Sequence, residues 1–269
     1  MIQVKHIDKY FEDGAKQVLH DISATFYDGM TNLIIGQSGS GKTVLMKSIV
    51  GLFRPEHGEI LYDGRDIIGM DSKQMKELRK EIGMLFQGSA LFDSETVLGN
   101  VIFPLKMFST MTAAEQRERA QFCIDRVNLS GSEHKYPSEL SGGMQKRAAI
   151  ARAIALNPKY LFCDEPNSGL DPKTSIVIDD LLSDITHEFN ITTIINTHDM
   201  NSVMGIGENI IFINRGHLGW TGNKDQIYNV DNDDLNNFVY ATDLFADVRK
   251  YRREHGYKPT REIKNNENE

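Results

Sequence analysis

A glycine-rich segment near the start of the chain has the residue types that bind phosphate. Residues 36 to 43 read GQSGSGKT and match the pattern G-x-x-x-x-G-K-[ST]. Glycines let backbone amides point at phosphates, Lys42 would reach the β- and γ-phosphates, and the Thr43 hydroxyl would ligate Mg²⁺. A glycine-rich turn without a ligand is the alternative, but the apolar strand before the segment and the helix after it disfavour that interpretation. The predicted nucleotide contacts are Gly36, Gln37, Ser38, Gly39, Ser40, Gly41, Lys42 and Thr43.

Two acidic residues end a second apolar stretch, YLFCDEP, at residues 160 to 166. A carboxylate at the end of a buried strand needs a strong partner, and we expect Asp164 to meet Mg²⁺ through a water molecule. Glu165 follows at the carboxyl end of the strand, where the sites of open α/β sheets lie. We assign it as the general base, or the group that positions water, for attack on the γ-phosphate. A solvated acidic turn is the weaker interpretation.

Other side chains gain a predicted role only in combination with these motifs. His198 follows the apolar stretch TTIINT, and the strand topology would place it beside the phosphate-loop strand, within reach of the γ-phosphate. Gln87 ends the stretch IGMLFQ and could reach Mg²⁺ or the attacking water. Phe11 or Tyr10 could stack on adenine, with Phe11 as the candidate, and an aromatic residue in the core of the small lobe is the alternative.

A second candidate anion site lies far downstream, in LSGGMQKR at residues 140 to 147. Ser141 could cap the helical pattern that follows, and Gly142 and Gly143 would leave its backbone amides accessible. Amides at the positive end of a helix dipole attract anions. The sequence therefore predicts phosphate contacts for Ser141, Gly142 and Gly143, although the chain already has a stronger phosphate site.

Apolar periodicity predicts both kinds of secondary structure. IQVKHI and QVLHDISATF alternate like half-buried antiparallel strands, and GEILYDGRDI is typical of a hairpin. Apolar runs alternate with helical patterns in TNLIIG, IGMLFQ, YLFCDE, TTIINT and IIFIN, which indicates a parallel sheet covered on both faces. Between about 87 and 155 the patterns are helical. The predicted fold class is α/β, with a mostly parallel sheet core, an antiparallel β subdomain and an inserted α-helical subdomain.

Composition excludes several functional classes. The formal net charge of −8 disfavours DNA or RNA as the main partner, because proteins that bind a polyphosphate backbone are usually basic. The two cysteines, Cys123 and Cys163, form no metal or redox motif and indicate buried thiols in a reducing compartment. No apolar run approaches the ~18 residues that span a bilayer, and the first residues do not resemble a signal peptide. We therefore expect a cytoplasmic protein.

The order of these motifs, followed by SGLD at residues 168 to 171, resembles the ATPase subunit of ATP-binding cassette (ABC) systems over roughly residues 2 to 221. The resemblance implies a P-loop NTPase fold with a RecA-like core, and a head-to-tail homodimer with ATP and Mg²⁺ as cofactors. Ser141 and Gly143 of one copy would then contact the γ-phosphate held by the other, and Asp171 would cross the interface. Met144 stands where glutamine is usual in this family.

The stretch GMLFQGSALFDSETVLGNVIFPL, residues 83 to 105, closely resembles Mla-type ATPases that energise bacterial phospholipid transport. This resemblance implies a separate integral membrane permease, an MCE-domain lipid carrier and, in some systems, a STAS-domain subunit. It also implies a peripheral position on the cytoplasmic face of the inner membrane. Ala90, Leu91 and Phe92 would be exposed and would form a groove for an amphipathic permease helix, or would instead pack the helical insert. Another cargo, a soluble cassette ATPase and a nucleotide switch without turnover are the alternatives.

The pattern of elements predicts three regions. Residues 1–230 form the nucleotide-binding domain, with the helical insert at about 87–155. Residues 231–257 form a helical extension, either packed on its own core or laid across the partner ATPase. Residues 258–269 have a polar composition typical of a disordered tail.

Overall fold

The computed structural model describes residues 1–12 and 14–240, together with residues 247 and 251. Most of the predicted extension beyond 240, including Phe245, Ala246 and the tail, lies outside the described residues. Within the described ranges no helix combines the length and the apolar character that a bilayer span requires.

The described residues form two sheets and the helices packed on them. The strands are β1 (Ile2–Phe11), β2 (Lys16–Phe26), β3 (Thr31–Ile35), β4 (His57–Tyr62), β5 (Arg65–Asp66), β6 (Ile82–Leu85), β7 (Tyr160–Asp164), β8 (Thr192–Thr197), β9 (Asn209–Asn214) and β10 (His217–Gly222). The α-helices are α1 (Lys42–Ile49), α2 (Ser72–Lys80), α3 (Val97–Phe108), α4 (Ala113–Arg126), α5 (Gly142–Ala153), α6 (Pro172–Glu188), α7 (Met200–Ile206) and α8 (Asp233–Val239). Short 3₁₀ turns occupy Pro137–Glu139 and Ile227–Asn229.

Both predicted sheets are present. The smaller sheet has the order β2-β1-β4-β5 and is antiparallel throughout. The larger has the order β10-β9-β3-β8-β7-β6, and every pairing except that of β10 with β9 is parallel. The periodicity did not predict β10, because its two glycines, Gly219 and Gly222, weaken the strand signal and none of its residues is fully buried.

Helix α1 lies between the two sheets. Its apolar residues Leu45, Met46 and Ile49 are fully buried in one core that includes Ile2 of β1 and Phe162 of β7. The Tyr62 hydroxyl of β4 donates a hydrogen bond of 2.8 Å to the carbonyl oxygen of Ile49. Because both sheets pack against this helix, the glycine-rich loop that precedes it has a fixed position.

A second core joins the helices within the predicted insert to the other face of the parallel sheet. Helices α3, α4 and α5 all lie between residues 87 and 155, although the domain bounds stay a prediction. Leu235 and Val239 of α8 are buried in this core, so the start of the predicted extension packs on its own chain. Both cysteines are buried, as expected.

The turn between β9 and β10 joins the small sheet to the glycine-rich loop. The Gly216 amide donates to the Ser40 carbonyl at 2.9 Å, and the Gly216 carbonyl accepts from the His20 amide at 2.9 Å. Gly216 has a φ of +79°, and a Cβ there would clash with the Val18 carbonyl oxygen. This close approach therefore requires glycine.

Replacing Gly216 by Ala should destabilise the fold by about 2–4 kcal/mol, because the positive φ and the clash both oppose a side chain. Gly64 is the matched control: its φ is also +79°, but no atom lies within 4 Å of the position of its Cβ. Gly64→Ala should therefore cost only about 1 kcal/mol. Urea denaturation of the two variants measures the difference, and equal losses would contradict the role assigned to the close approach.

Candidate functional site

Three adjacent parallel strands bring the predicted site residues to one edge of the sheet. Strand β3, which leads into the glycine-rich loop, pairs with β8, and β8 pairs with β7. His198 therefore follows the strand beside the phosphate-loop strand, which confirms the predicted topology. A cavity of about 650 Å³ opens at this edge, and its lining includes Gln37, Ser38, Glu165 and His198.

The glycine-rich loop forms a cradle with one buried cation. Lys42 is 7% exposed, and its Nζ donates to the carbonyl oxygens of Gly36 at 2.8 Å and Gln37 at 3.2 Å. Burial lowers the pKa of Lys42, while the nearby carboxylates of Glu165 and Asp164 oppose that shift. Within the described chain the Ser40 hydroxyl is buried without a hydrogen-bond partner. A cradle with an unpaired hydroxyl and a buried ammonium fits a polyphosphate.

The acidic pair occupies a strained position at the end of β7. Glu165 has a φ of +49°, a left-handed conformation that is costly for a non-glycine residue and that clusters at functional sites. Its Oε1 lies 2.9 Å from Nδ1 of His198, and its amide donates to the Asn196 carbonyl at 3.0 Å. Asp164 Oδ1 accepts from Asn196 Nδ2 at 3.0 Å. The structure thus brings Glu165, His198 and Asp164 together beside Lys42.

Gln87 lies at the junction between this edge and the helices of the insert. Its Nε2 donates to the Ser168 hydroxyl at 3.3 Å. Its backbone carbonyl accepts a hydrogen bond from the ammonium group of Lys146, which is 4% exposed on α5. Burial lowers the pKa of Lys146. Sequence reasoning missed this lysine, and the available signal was a cation on a helix whose other residues include Ala148, Ala149 and Ile150.

Arg152 lies near the C-terminal end of α5 and holds the segment after Gln87 by hydrogen bonds to its backbone. Its guanidinium donates to the carbonyl oxygens of Ser89 at 2.8 Å and Ala90 at 2.7 Å. Ala90 is exposed and Phe92 is 40% exposed, as predicted. For Leu91 the structure supports the alternative interpretation, because this side chain is half-buried and packs against the core under the insert.

The second predicted anion site does not join the cavity. Ser141 is the N-cap of α5, as predicted, and its Oγ accepts from the Met144 amide at 3.3 Å. Ser141 and Gly142 are exposed, and no residue from 141 to 143 lines the cavity among the described residues. A Cβ on Gly143 would lie 2.6 Å from Cγ2 of Thr174, so this turn packs closely on α6.

Within one chain, Asp171 accepts hydrogen bonds from residues that follow it closely in the sequence. It is the N-cap of α6, and its Oδ1 accepts from the amides of Lys173 at 3.1 Å and Thr174 at 3.0 Å. The Thr174 hydroxyl also donates to Oδ2 at 2.6 Å. These hydrogen bonds lower the pKa of Asp171, led by that from the Thr174 side chain. The predicted interface role of this exposed carboxylate stays a prediction.

Phe11 is half-buried, and its ring meets Phe53 edge-on with centroids 5.4 Å apart. The Lys9 ammonium lies 5.0 Å from the Phe11 ring centroid. Tyr10, the alternative, is also half-buried, and its amide donates to Glu56 at 2.7 Å. Nothing in this geometry tests stacking on adenine, which stays a prediction.

A polar network extends from the acidic pair into the interior, with Asn167 half-buried at the cavity and Asp179 and Ser202 buried. Asn167 Nδ2 donates to Asp179 Oδ1 at 2.8 Å and to the Ser202 hydroxyl at 3.1 Å. Asp179 is 5% exposed, and burial raises its pKa to about 6, assisted by the negative charges of Asp199 and Asp180 and opposed by side-chain hydrogen bonds with Ser202 and Asn167. Sequence reasoning missed this network, because its members come from three separate segments.

Comparison with known proteins agrees with the fold. A family model described as ABC transporter matches residues 19–168. A probable ribonucleotide transport ATP-binding protein of Mycobacterium leprae is 37% identical over 238 residues, which cover 88% of this chain and 68% of that protein. A methionine import ATP-binding protein of Corynebacterium jeikeium is 39% identical over 246 residues, which cover 90% of this chain and 66% of that protein. The chain thus spans about two thirds of the length of these relatives.

Two solved structures share the architecture. The dimeric ATP-binding cassette MJ0796, in a post-hydrolysis state bound to ADP and Pi, superposes with a TM-score of 0.75 and 32% identity, covering 83% of this chain and 99% of that one. The cbiO1 protein of Clostridium perfringens, part of the ABC transporter complex cbiONQ, superposes with a TM-score of 0.80 and 28% identity, covering 94% of this chain and 98% of that one. These neighbours confirm the predicted P-loop NTPase fold.

Glu165→Gln should lower kcat for ATP hydrolysis by about 10²-fold or more, because the amide cannot accept the proton of the attacking water. Binding of a fluorescent ATP analogue should change by less than about twofold, because the phosphate loop is untouched. Lys42→Ala should instead abolish binding, since it removes the buried cation of the cradle. Hydrolysis at the normal rate by Glu165→Gln would show that the base is another group.

The raised pKa of Asp179 makes stability depend on pH. Between about pH 4 and pH 6 the folded protein keeps a proton on this carboxyl that the unfolded chain, where the pKa of Asp has its ordinary value of 3.8, has released, so this group lowers stability as pH rises from about 4 to above 6. Asp179→Asn removes that loss. The free energy of unfolding of the variant, relative to that of the unsubstituted chain, should therefore rise by about 2 kcal/mol between pH 4.5 and pH 7, as measured by urea denaturation at the two pH values. A difference that does not change with pH would contradict the assignment.

Proposed function

The chain belongs to the ATP-binding cassette transporter family, and on that premise we propose that it is the ATPase subunit of a bacterial phospholipid transporter with a separate permease. It hydrolyses ATP with Mg²⁺, as the cassettes of this family do. The observation that carries the lipid assignment is the stretch from 83 to 105, which resembles the Mla-type subfamily. The names of the compared relatives refer to ribonucleotide transport and methionine import, which are the competing cargoes.

The proposed chemistry assigns each group at the strand edge a role. Lys42 and the amides of the glycine-rich loop bind the phosphates, and Glu165 takes the proton of the attacking water. His198 orients Glu165, in keeping with the 2.9 Å between His198 Nδ1 and Glu165 Oε1, and it contacts the γ-phosphate. Mg²⁺ would be held by Thr43, Gln87 and Asp164, and when bound it neutralises phosphate charge.

A second copy of the chain would complete the site. Ser141, the exposed N-cap of α5, is not among the described residues that line the cavity of its own chain, so Ser141 and the nearby, half-buried Gly143 would contact a phosphate held by another copy. A twofold axis would then give two identical sites from one kind of chain. Asp171, also exposed, would lie at the same interface, and ATP would favour the closed dimer more than ADP does.

An aromatic groove supports docking to a permease. Four phenylalanines that are each about 40% exposed line a groove of about 270 Å³ between the strand edge of β6 and helix α3: Phe86, Phe92, Phe103 and Phe108. The ring centroids of Phe92 and Phe103 lie 4.6 Å apart. An exposed apolar groove of this kind fits the apolar face of an amphipathic helix. The permease would hold the ATPase at the cytoplasmic face of the inner membrane.

The proposal is tested by purifying tagged Glu165→Gln protein from detergent-solubilised membranes with ATP and Mg²⁺. We expect a polytopic permease, an MCE-domain chain and bound phospholipid, with a STAS-domain subunit as an additional component. A permease whose complex responds to ribonucleotide or methionine and holds no lipid would replace the cargo. A soluble partner alone, with no ATPase in the membrane fraction, would remove the transport assignment.

Variants of the groove test the docking surface in the same experiment. Phe103→Ser should reduce recovery of the permease by about tenfold, because it removes a central aromatic anchor. Phe122→Ser is the matched control: it is 44% exposed on α4, in the same group of helices, but outside the groove. Equal recovery with both variants would show that the permease docks elsewhere.

A further inference from the structure

Two segments carry the groups at the strand edge, and they are tied to one another at three levels. Nearest the cavity, Glu165 meets His198 at 2.9 Å. At the strand end, Asp164 accepts from Asn196 at 3.0 Å. The third tie lies deeper: Asn167, two residues after Glu165, shares its amide group between Asp179 of α6 and Ser202 of α7.

We propose that Asp179 is a positioning residue for ATP hydrolysis, which keeps the segment of Glu165 and the segment of His198 in one fixed arrangement. The inference rests on the roles proposed above for Glu165 and His198. Asn167 follows Glu165 closely in the chain, and Ser202 lies in the first turn of the helix that follows His198. Asp179 contacts both from the side away from the cavity: Asn167 lines the cavity beside Glu165, whereas Asp179 and Ser202 are not among the described residues that line it.

The cost of burying this carboxylate supports a positioning role. Its neighbours along the buried face of α6, Ile178 and Leu182, are fully buried and apolar. An apolar residue at position 179 would fill the same space without the desolvation cost of a carboxylate that is 5% exposed. The groups that face Asp179 are Asp180 on its own helix, Asp199 at the start of α7 and the buried Cys163 of β7. None of these is a cation, so the hydrogen bonds from Asn167 and Ser202 are its compensation.

Small displacements at this edge matter because proton transfer requires the base to lie within hydrogen-bond distance of the attacking water. Loss of the tie should therefore lower kcat while the phosphate cradle, which holds ATP, keeps its affinity. A purely structural carboxylate would instead change stability, and binding and turnover would fall together.

The test uses the full-length chain and measures kcat, the affinity for a fluorescent ATP analogue and the melting temperature. Asp179→Ala should lower kcat by about tenfold or more with binding changed less than about twofold, and Asp179→Asn, which keeps an acceptor, should restore most of the rate. The exposed neighbour Asp180 is the matched control, and Asp180→Ala should leave kcat unchanged. Ser202→Ala tests the same tie from α7, should Asp179→Ala fail to fold.

A double-mutant cycle separates positioning from a general effect on the fold. In a His198→Ala background, Asp179→Ala should cost much less than it does alone, because the arrangement that it maintains is already lost. Equal costs in both backgrounds, or a folded Asp179→Ala protein with the normal kcat, would overturn the inference. Glu165→Gln distinguishes the two levels: if it hydrolyses ATP normally, the proposed site roles fail, whereas if only Asp179→Ala is normal, the positioning inference alone fails.

Discussion

The parallel pairing of β3, β8 and β7 is the constraint on which the rest of the structure depends. Parallel strands end at the same edge of a sheet, so the loop that follows each strand meets the loops of its neighbours. Here those loops carry the phosphate cradle, His198 and the acidic pair. The backbone ladder therefore assembles, from residues distant in sequence, a site with one buried cation and several carboxylates.

The electrostatics of the site follow from this assembly. Burial of the Lys42 side chain removes water from its ammonium group and lowers its pKa. The negative charges of Glu165 and Asp164 oppose this shift and help to keep the group protonated. Two hydrogen bonds hold Glu165 in its strained conformation. One runs from its backbone amide to the Asn196 carbonyl, and the other joins its carboxylate to His198. The smaller sheet contributes by gripping α1 and by contacting the glycine-rich loop through Gly216.

Two functional regions of the chain meet at the segment from 87 to 92. On one side Gln87 contacts Ser168 near the acidic pair, and on the other side Phe92 lines the aromatic groove. Lys146 and Arg152 of helix α5 donate hydrogen bonds to backbone carbonyl oxygens of this segment, and Ser141 is the N-cap of the same helix. Movement of that helix would thus displace residues at both the candidate site and the groove. A transport ATPase requires such a link between its nucleotide site and its docking surface.

The sequence by itself determined the features that depend on local pattern: the glycine-rich loop, the acidic pair, the cap at Ser141 and the order of most strands and helices, β10 excepted. These follow from backbone and side-chain preferences over a few neighbouring residues. Only the tertiary structure decided which side chains meet. It packed the half-buried Leu91 against the core, kept Ser141 away from the cavity of its own chain, and joined Asn167, Asp179 and Ser202 into one network. Such contacts depend on the packing of segments far apart in the chain, and no short stretch of sequence contains that information.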